Sequence, residues 1–111
     1  MAYDEDLADR IREVIGAESG LTEKRMFGGL AFLIGGHMAV AASGQGGIMV
    51  RVDRDEAADL VGVGGATIVE MRGRPMRGWL RIDPERLRTG KQLAGWVGRG
   101  VSYARSLPPK T

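Results

Sequence analysis

The sequence predicts a two-layer α+β domain, an antiparallel sheet with helices on one face. Two observations carry this. Short apolar runs broken by glycine-rich turns recur through residues 24–52 and again through 67–82. Apolar residues at helical spacing occupy the stretches before, between and after those runs. Strands joined by short turns are antiparallel, and three helices suffice to cover one face of such a sheet. The expected order is α-β-β-β-α-β-β-α, in one domain over residues 1–111.

The first helix is predicted to open at Asp4, a capping residue followed by Glu5 and Asp6, which suit the positive end of the helix. Leu7, Ala8, Ile11, Val14 and Ile15 fall on one face, and Gly16 ends the pattern. Residues 17–22 read as a connection. Lys24 to Ile34 is predicted as one long central strand, apolar on both faces and interrupted by Gly28-Gly29. Paired glycines there disfavour a helix by about 2 kcal/mol. Gly35-Gly36 reads as a tight hairpin turn, Met38–Ala42 as a second strand, and residues 43–47 as another turn. Ile48–Val52 is a third strand, with Ile48, Val50 and Val52 on one face and Met49 and Arg51 on the other.

Asp53 and Glu56 resemble a capping box for a short second helix, whose stripe is Ala57, Leu60 and Val61 and which stops at Gly62-Val63-Gly64-Gly65. Thr67–Arg72 and Trp79–Ile82 alternate as two half-buried strands, joined by a loop of residues 73–78. Asp83-Pro84 opens a short turn. Thr89 and Gln92 form a better capping box, followed by Leu93, Trp96, Val97, Gly100, Val101 and Ala104 on one stripe, and Pro108-Pro109 ends this helix.

Charge is unevenly divided. Residues 1–71 hold 6 Lys and Arg against 12 Asp and Glu, and residues 72–111 hold 10 against only Asp83 and Glu85. A basic end of this kind can attract an anionic partner. There is no cysteine, which excludes disulfides and thiolate metal sites. The acidic N-terminus does not resemble a signal peptide, and no apolar run approaches the length of a membrane span. The chain is read as soluble and cytoplasmic, with no membrane partner.

Four segments resemble the N-terminal domain of the TfoX/Sxy family, named for regulators of natural competence. They are residues 1–4 (Met-Ala-Tyr-Asp), 24–29 (Lys-Arg-Met-Phe-Gly-Gly), 73–79 (Gly-Arg-Pro-Met-Arg-Gly-Trp) and 106–110 (Ser-Leu-Pro-Pro-Lys). The resemblance implies a small α+β fold with an antiparallel sheet. It implies transcriptional regulation by assisting a DNA-bound activator, and no known catalysis. The competence regulators of this family carry a second, helical domain that these 111 residues do not contain, so the chain is read as a stand-alone member.

The residues offer no catalytic, cofactor or metal site to set beside that expectation. No phosphate-binding loop pattern occurs, and turn formation accounts for the Gly44-Gln45-Gly46 and Gly62-Val63-Gly64 stretches. His37 is the sole histidine and reads as a turn or strand-start residue. The acids of residues 4–13 and 53–59 sit at helix starts and match no calcium loop.

Binding is the sharper expectation. Arg72, Arg74, Arg77 and Arg81 are expected around one hairpin with Trp79 beside them; guanidinium groups pair with anions and Trp anchors interfaces. If Ile48, Val50, Val52, Leu80 and Ile82 face the helices, then Met49, Arg51, Trp79 and Arg81 point the other way. That composition suits an interface. The first candidates are therefore Arg74, Arg77 and Trp79, then Met49, Arg51 and Arg81. The expected partner is a protein, a transcription factor by the resemblance, with homodimerisation through the uncovered face also expected. Two alternatives are direct nucleic-acid binding by the basic C-terminal half and, ranked last, an enzyme of unrecognised type.

Overall fold

Asp4 caps the first helix as its chemistry predicts: its Oδ1 accepts the backbone N–H of Leu7 at 3.2 Å, and α1 runs Glu5–Ile15. Leu7, Ala8, Ile11 and Ile15 are buried, whereas Val14, at the margin of the stripe, stays 37% exposed. The computed structural model describes residues 3–26, 28–44, 46–63 and 66–108. Within these lie β1 (Leu21–Met26), β2 (Gly29–Ile34), β3 (His37–Ala42), β4 (Ile48–Arg51), α2 (Arg54–Val63), β5 (Thr67–Met71), β6 (Arg74–Ile82), a 3₁₀ turn (Pro84–Arg86) and α3 (Gly90–Ser106). The strands make one antiparallel sheet in the order β1-β2-β3-β4-β6-β5. The two-layer α+β architecture is the one expected.

Two strands differ from expectation. The stretch 24–34 is a hairpin and not one strand: Met26 pairs with Gly29, and Gly28 turns the chain at φ +74°. The strand preceding the turn also begins earlier, at Leu21, inside the expected connection. The second difference is at residues 73–78, which do not form a loop. The turn is Arg72-Gly73 alone, with φ +54° and +77°, and Arg74 already pairs with Met71. Two successive positive φ values match the right-handed twist of a hairpin. The Gly35-Gly36 turn lies where it was expected, between Ile34 and His37.

Two bulges shape the sheet. Phe32 pairs with Val40 and Leu33 with Met38, so Ala39 is an extra residue in β3. Ala39 and Val40 are consequently both buried in the helix-side core, while Met38 is shifted to the other face. In β6, Ile68 pairs with Leu80 but Val69 with Met76, so residues 77–79 bow away from β5. Gly78 sits there at φ +90°, its carbonyl accepting the Val52 N–H at 2.8 Å, and a Cβ would lie 3.0 Å from the Val52 carbonyl oxygen. Both the conformation and the close approach call for glycine.

The helices cover one face. Phe32, Val40, Ile48, Val50, Val52, Leu80 and Ile82 point into a core completed by α1, by Ala57 of α2 and by Leu93, Trp96, Val97 and Ala104 of α3. The Thr89–Gln92 capping box is present: Gln92 N–H donates to Thr89 Oγ1 at 3.0 Å and Thr89 N–H to Gln92 Oε1 at 3.1 Å. Gly100 lets α3 press onto the sheet, since a Cβ there would fall 2.1 Å from the Ala39 carbonyl oxygen. The expected box at α2 is not made. Asp53 Oδ1 accepts from Asp55 N–H at 2.9 Å, but Glu56 reaches Arg99 of α3 at 3.3 Å. Val61, expected on the buried stripe, is 37% exposed. Gly64, Gly65 and Pro109, expected as helix breakers, lie outside the described residues.

Candidate functional site

Alternation along the strands leaves a second set of apolar side chains on the face without helices. Ala31, Met38 and Ala41 are buried there among half-buried Met26, Leu33, Met49 and Trp79. Cross-strand register orders them into rows. One row runs Lys24, Ala31, Ala41, Met49, Arg81, Thr67 across all six strands. Its neighbour contains Leu33 opposite Met38 and Arg51 opposite Trp79. The first row therefore has two buried alanines at its middle and a cation towards each end; the second sets Leu33 and Met38 beside them.

Five of the six expected binding residues share this face by register: Met49, Arg51, Arg74, Trp79 and Arg81. Arg81 donates to the Gly46 carbonyl at 3.4 Å, which holds its side chain near the β3–β4 connection. Arg51 begins on the same face, but its guanidinium lies 5.2 Å from the Trp79 ring centroid and 5.5 Å from that of Tyr103 on α3. It joins the face to the helix layer through cation–π contacts. Arg77 departs from the expected cluster. With Pro75 it faces the opposite way and lines a groove of about 790 Å³ that also includes Arg54, Val61 and Ile68. The bulge at Gly78 separates it from Trp79, so the arginines do not form a single patch around the hairpin.

Met26, Leu33, Met38, Ala31, Ala41 and Lys24 were not singled out from the sequence. Reading 24–34 as one strand hid the alternation of its two halves. Strict alternation from Val40 would also have placed Met38 on the helix side; only the bulge at Ala39 moves it.

Among the described residues, no acidic strand position lies on this face. Glu23 pairs with Phe32, and Glu70 lies two residues from Ile68, so both belong to the helix side. Glu23 is held there by Arg12 of α1, whose Nε and Nη2 donate to its two carboxylate oxygens at 2.8 Å each. This fork holds the Glu23 carboxyl below its usual range, chiefly through the hydrogen bonds, and raises the Arg12 pKa in return. The basic half of the chain is partly answered on the helix layer: Arg99 meets Glu56 and Arg105 meets Glu18.

Chemistry elsewhere is sparse. His37 starts β3 and its Nε2 donates to the Pro108 carbonyl at 2.6 Å, fastening the segment after α3 to the sheet. Among the described residues no three His, Asp or Glu side chains converge to hold a metal, and no helix is long and apolar enough to cross a membrane.

Among curated proteins none matches the chain. The TfoX N-terminal domain family matches residues 13–104. That span runs from the last turn of α1 through all six strands to Ala104 near the end of α3, so it takes in every strand that builds the uncovered face. The chain belongs to the TfoX N-terminal domain family.

Proposed function

We propose that this chain is a non-catalytic regulatory domain that works by docking a protein on the uncovered face of its sheet. The observation that carries the reading is the paired rows of Lys24, Ala31, Ala41, Met49 and Arg81 beside Leu33, Met38 and Trp79. Methionine, tryptophan and arginine around small residues are what protein interfaces favour. Membership of a family of regulatory domains supports the same reading, and the sequence resemblance to competence regulators favours transcription control as its setting. Direct nucleic-acid binding by the C-terminal half is the weaker reading: Arg99 and Arg105 are paired with acids, and Arg77 faces away from Arg74.

Affinity capture from native lysate tests the proposal. Proteins held by the wild-type chain are expected to be lost with Met49→Glu and Trp79→Ala and kept with Arg99→Ala on the opposite side. Equal capture by all four proteins, with unfolding curves showing each to be folded, overturns it.

A further inference from the structure

Resting on that reading, we infer that the segment seated on the uncovered face is an acidic, apolar-anchored stretch of another protein. Charge sorting in the fold carries this step. The strand positions on this face supply Lys24, Arg51, Arg74 and Arg81 and no carboxylate. The carboxylates of α1 and α2, from Glu5 to Glu13 and from Asp55 to Asp59, belong to the layer behind the sheet. A partner meets apolar side chains in the middle of the face and cations towards its margins.

The apolar surface agrees with the charge. Ala31, Met38 and Ala41 are buried among half-buried Met26, Leu33, Met49 and Trp79, and Lys24 and Arg81 lie four strand spacings apart. At about 4.8 Å per spacing that is roughly 19 Å. A helix of about 13 residues covers this length. Apolar side chains of such a segment reach Met26, Met49 and Trp79 while its carboxylates reach the two cations. Charge complementarity of this kind at an interface margin sets specificity and association rate.

The same charges disfavour other occupants. A second copy of the chain, seated face to face, opposes cations with cations. Single-stranded nucleic acid binds through successive stacking rings. Trp79 is the one aromatic side chain among the described strand residues of this face, and Arg51 already lies against its ring.

The test uses the full chain carrying ¹³C-labelled methionine methyls and three amphipathic peptides of about 16 residues. All three have leucines at helical spacing; their remaining positions are Glu, Gln or Lys. The Glu peptide is expected to shift the methyl signals of Met26, Met38 and Met49 and to bind about tenfold tighter than the Gln peptide, with the Lys peptide weakest. Raising the salt concentration is expected to narrow that gap. Lys24→Glu, on the exposed edge strand β1, and the double variant with Arg81→Glu are expected to abolish or reverse the preference. Equal binding of Gln and Glu peptides at these methyls overturns the acidic partner and leaves the docking face standing. Failure of every peptide to shift the three methyls overturns the acidic partner; the lysate comparison above then separately decides the fate of the docking face. Shifts that depend on protein concentration without peptide, or a single-stranded oligonucleotide that displaces the Glu peptide at equal concentration, also overturn the inference.

Discussion

Arg72 carries a cost that the hairpin imposes on it. Its φ of +54° is in the left-handed region, where a side chain with a Cβ is disfavoured by about 1 kcal/mol. Asparagine tolerates that region, and Asn-Gly is the preferred pair for this turn. Arg72→Asn is therefore expected to stabilise the protein by up to about 1 kcal/mol in urea unfolding. No gain would mean that the arginine side chain compensates for its backbone. The Arg12–Glu23 fork supplies a pH signature at the same scale. The Glu23 carboxyl is held below its unfolded value, so the pair stabilises the fold above about pH 4.3, where unfolded glutamate is ionised. That contribution fades as pH falls through the lower folded value. Glu23→Gln is expected to lower stability modestly near pH 7, as exposed ion pairs do, and progressively less as pH falls below about 4.3. A loss that persists undiminished in acid would show that packing, and not the ion pair, accounts for it.

Gly100 shows how one element fixes the position of another. A methyl group there would meet the Ala39 carbonyl, which is backbone within a bulge and has little room to yield. Gly100→Ala is expected to lower stability by about 1–3 kcal/mol by lifting α3 from the sheet. A neutral result in thermal unfolding would mean that the helix can slide along β3. The elements themselves were largely legible. Helical spacing found α1 and α3, Asp4 and the Thr89–Gln92 pair marked their starts, and Gly35-Gly36 marked a turn. What the sequence obscured were local departures from periodicity. Gly28-Gly29 reads as an interruption because the residues beyond it stay apolar, yet Gly28 reverses the chain. Neither bulge has a turn-like signature. Ala39 is an ordinary strand residue, and Gly78 looks like the end of a loop until its partner, the Val52 N–H, is known. Half of the site followed from alternation in β4 and β6; the other half depended on these irregularities.

At the scale of the molecule, the proposed docking role would divide the sheet between stability on one face and recognition on the other. Apolar burial on the helix side joins α1, α2, α3 and the strands into one core, whereas the opposite cluster has, among the described residues, buried Ala31, Met38 and Ala41 with a half-buried margin. The family match begins at residue 13, yet Leu7, Ala8 and Ile11 precede it and are buried in the main core. Helix α1 is thus part of the folded unit and not an appendage to it. Its Arg10 reinforces this by donating to the Leu87 carbonyl at 2.7 Å, across the layer from the 3₁₀ turn. If the division holds, substitutions on the two faces have unequal consequences. Ile11→Ala removes a fully buried side chain and is expected to cost about 2–5 kcal/mol. Met49→Gln and Leu33→Gln keep side-chain volume at half-buried positions and are expected to cost under about 1 kcal/mol, while still abolishing lysate capture. Urea unfolding of the three variants against wild type measures the contrast. Losses on the uncovered face as large as that of Ile11→Ala would make Met49 and Leu33 structural core, and a face needed for folding could not be given over to a partner.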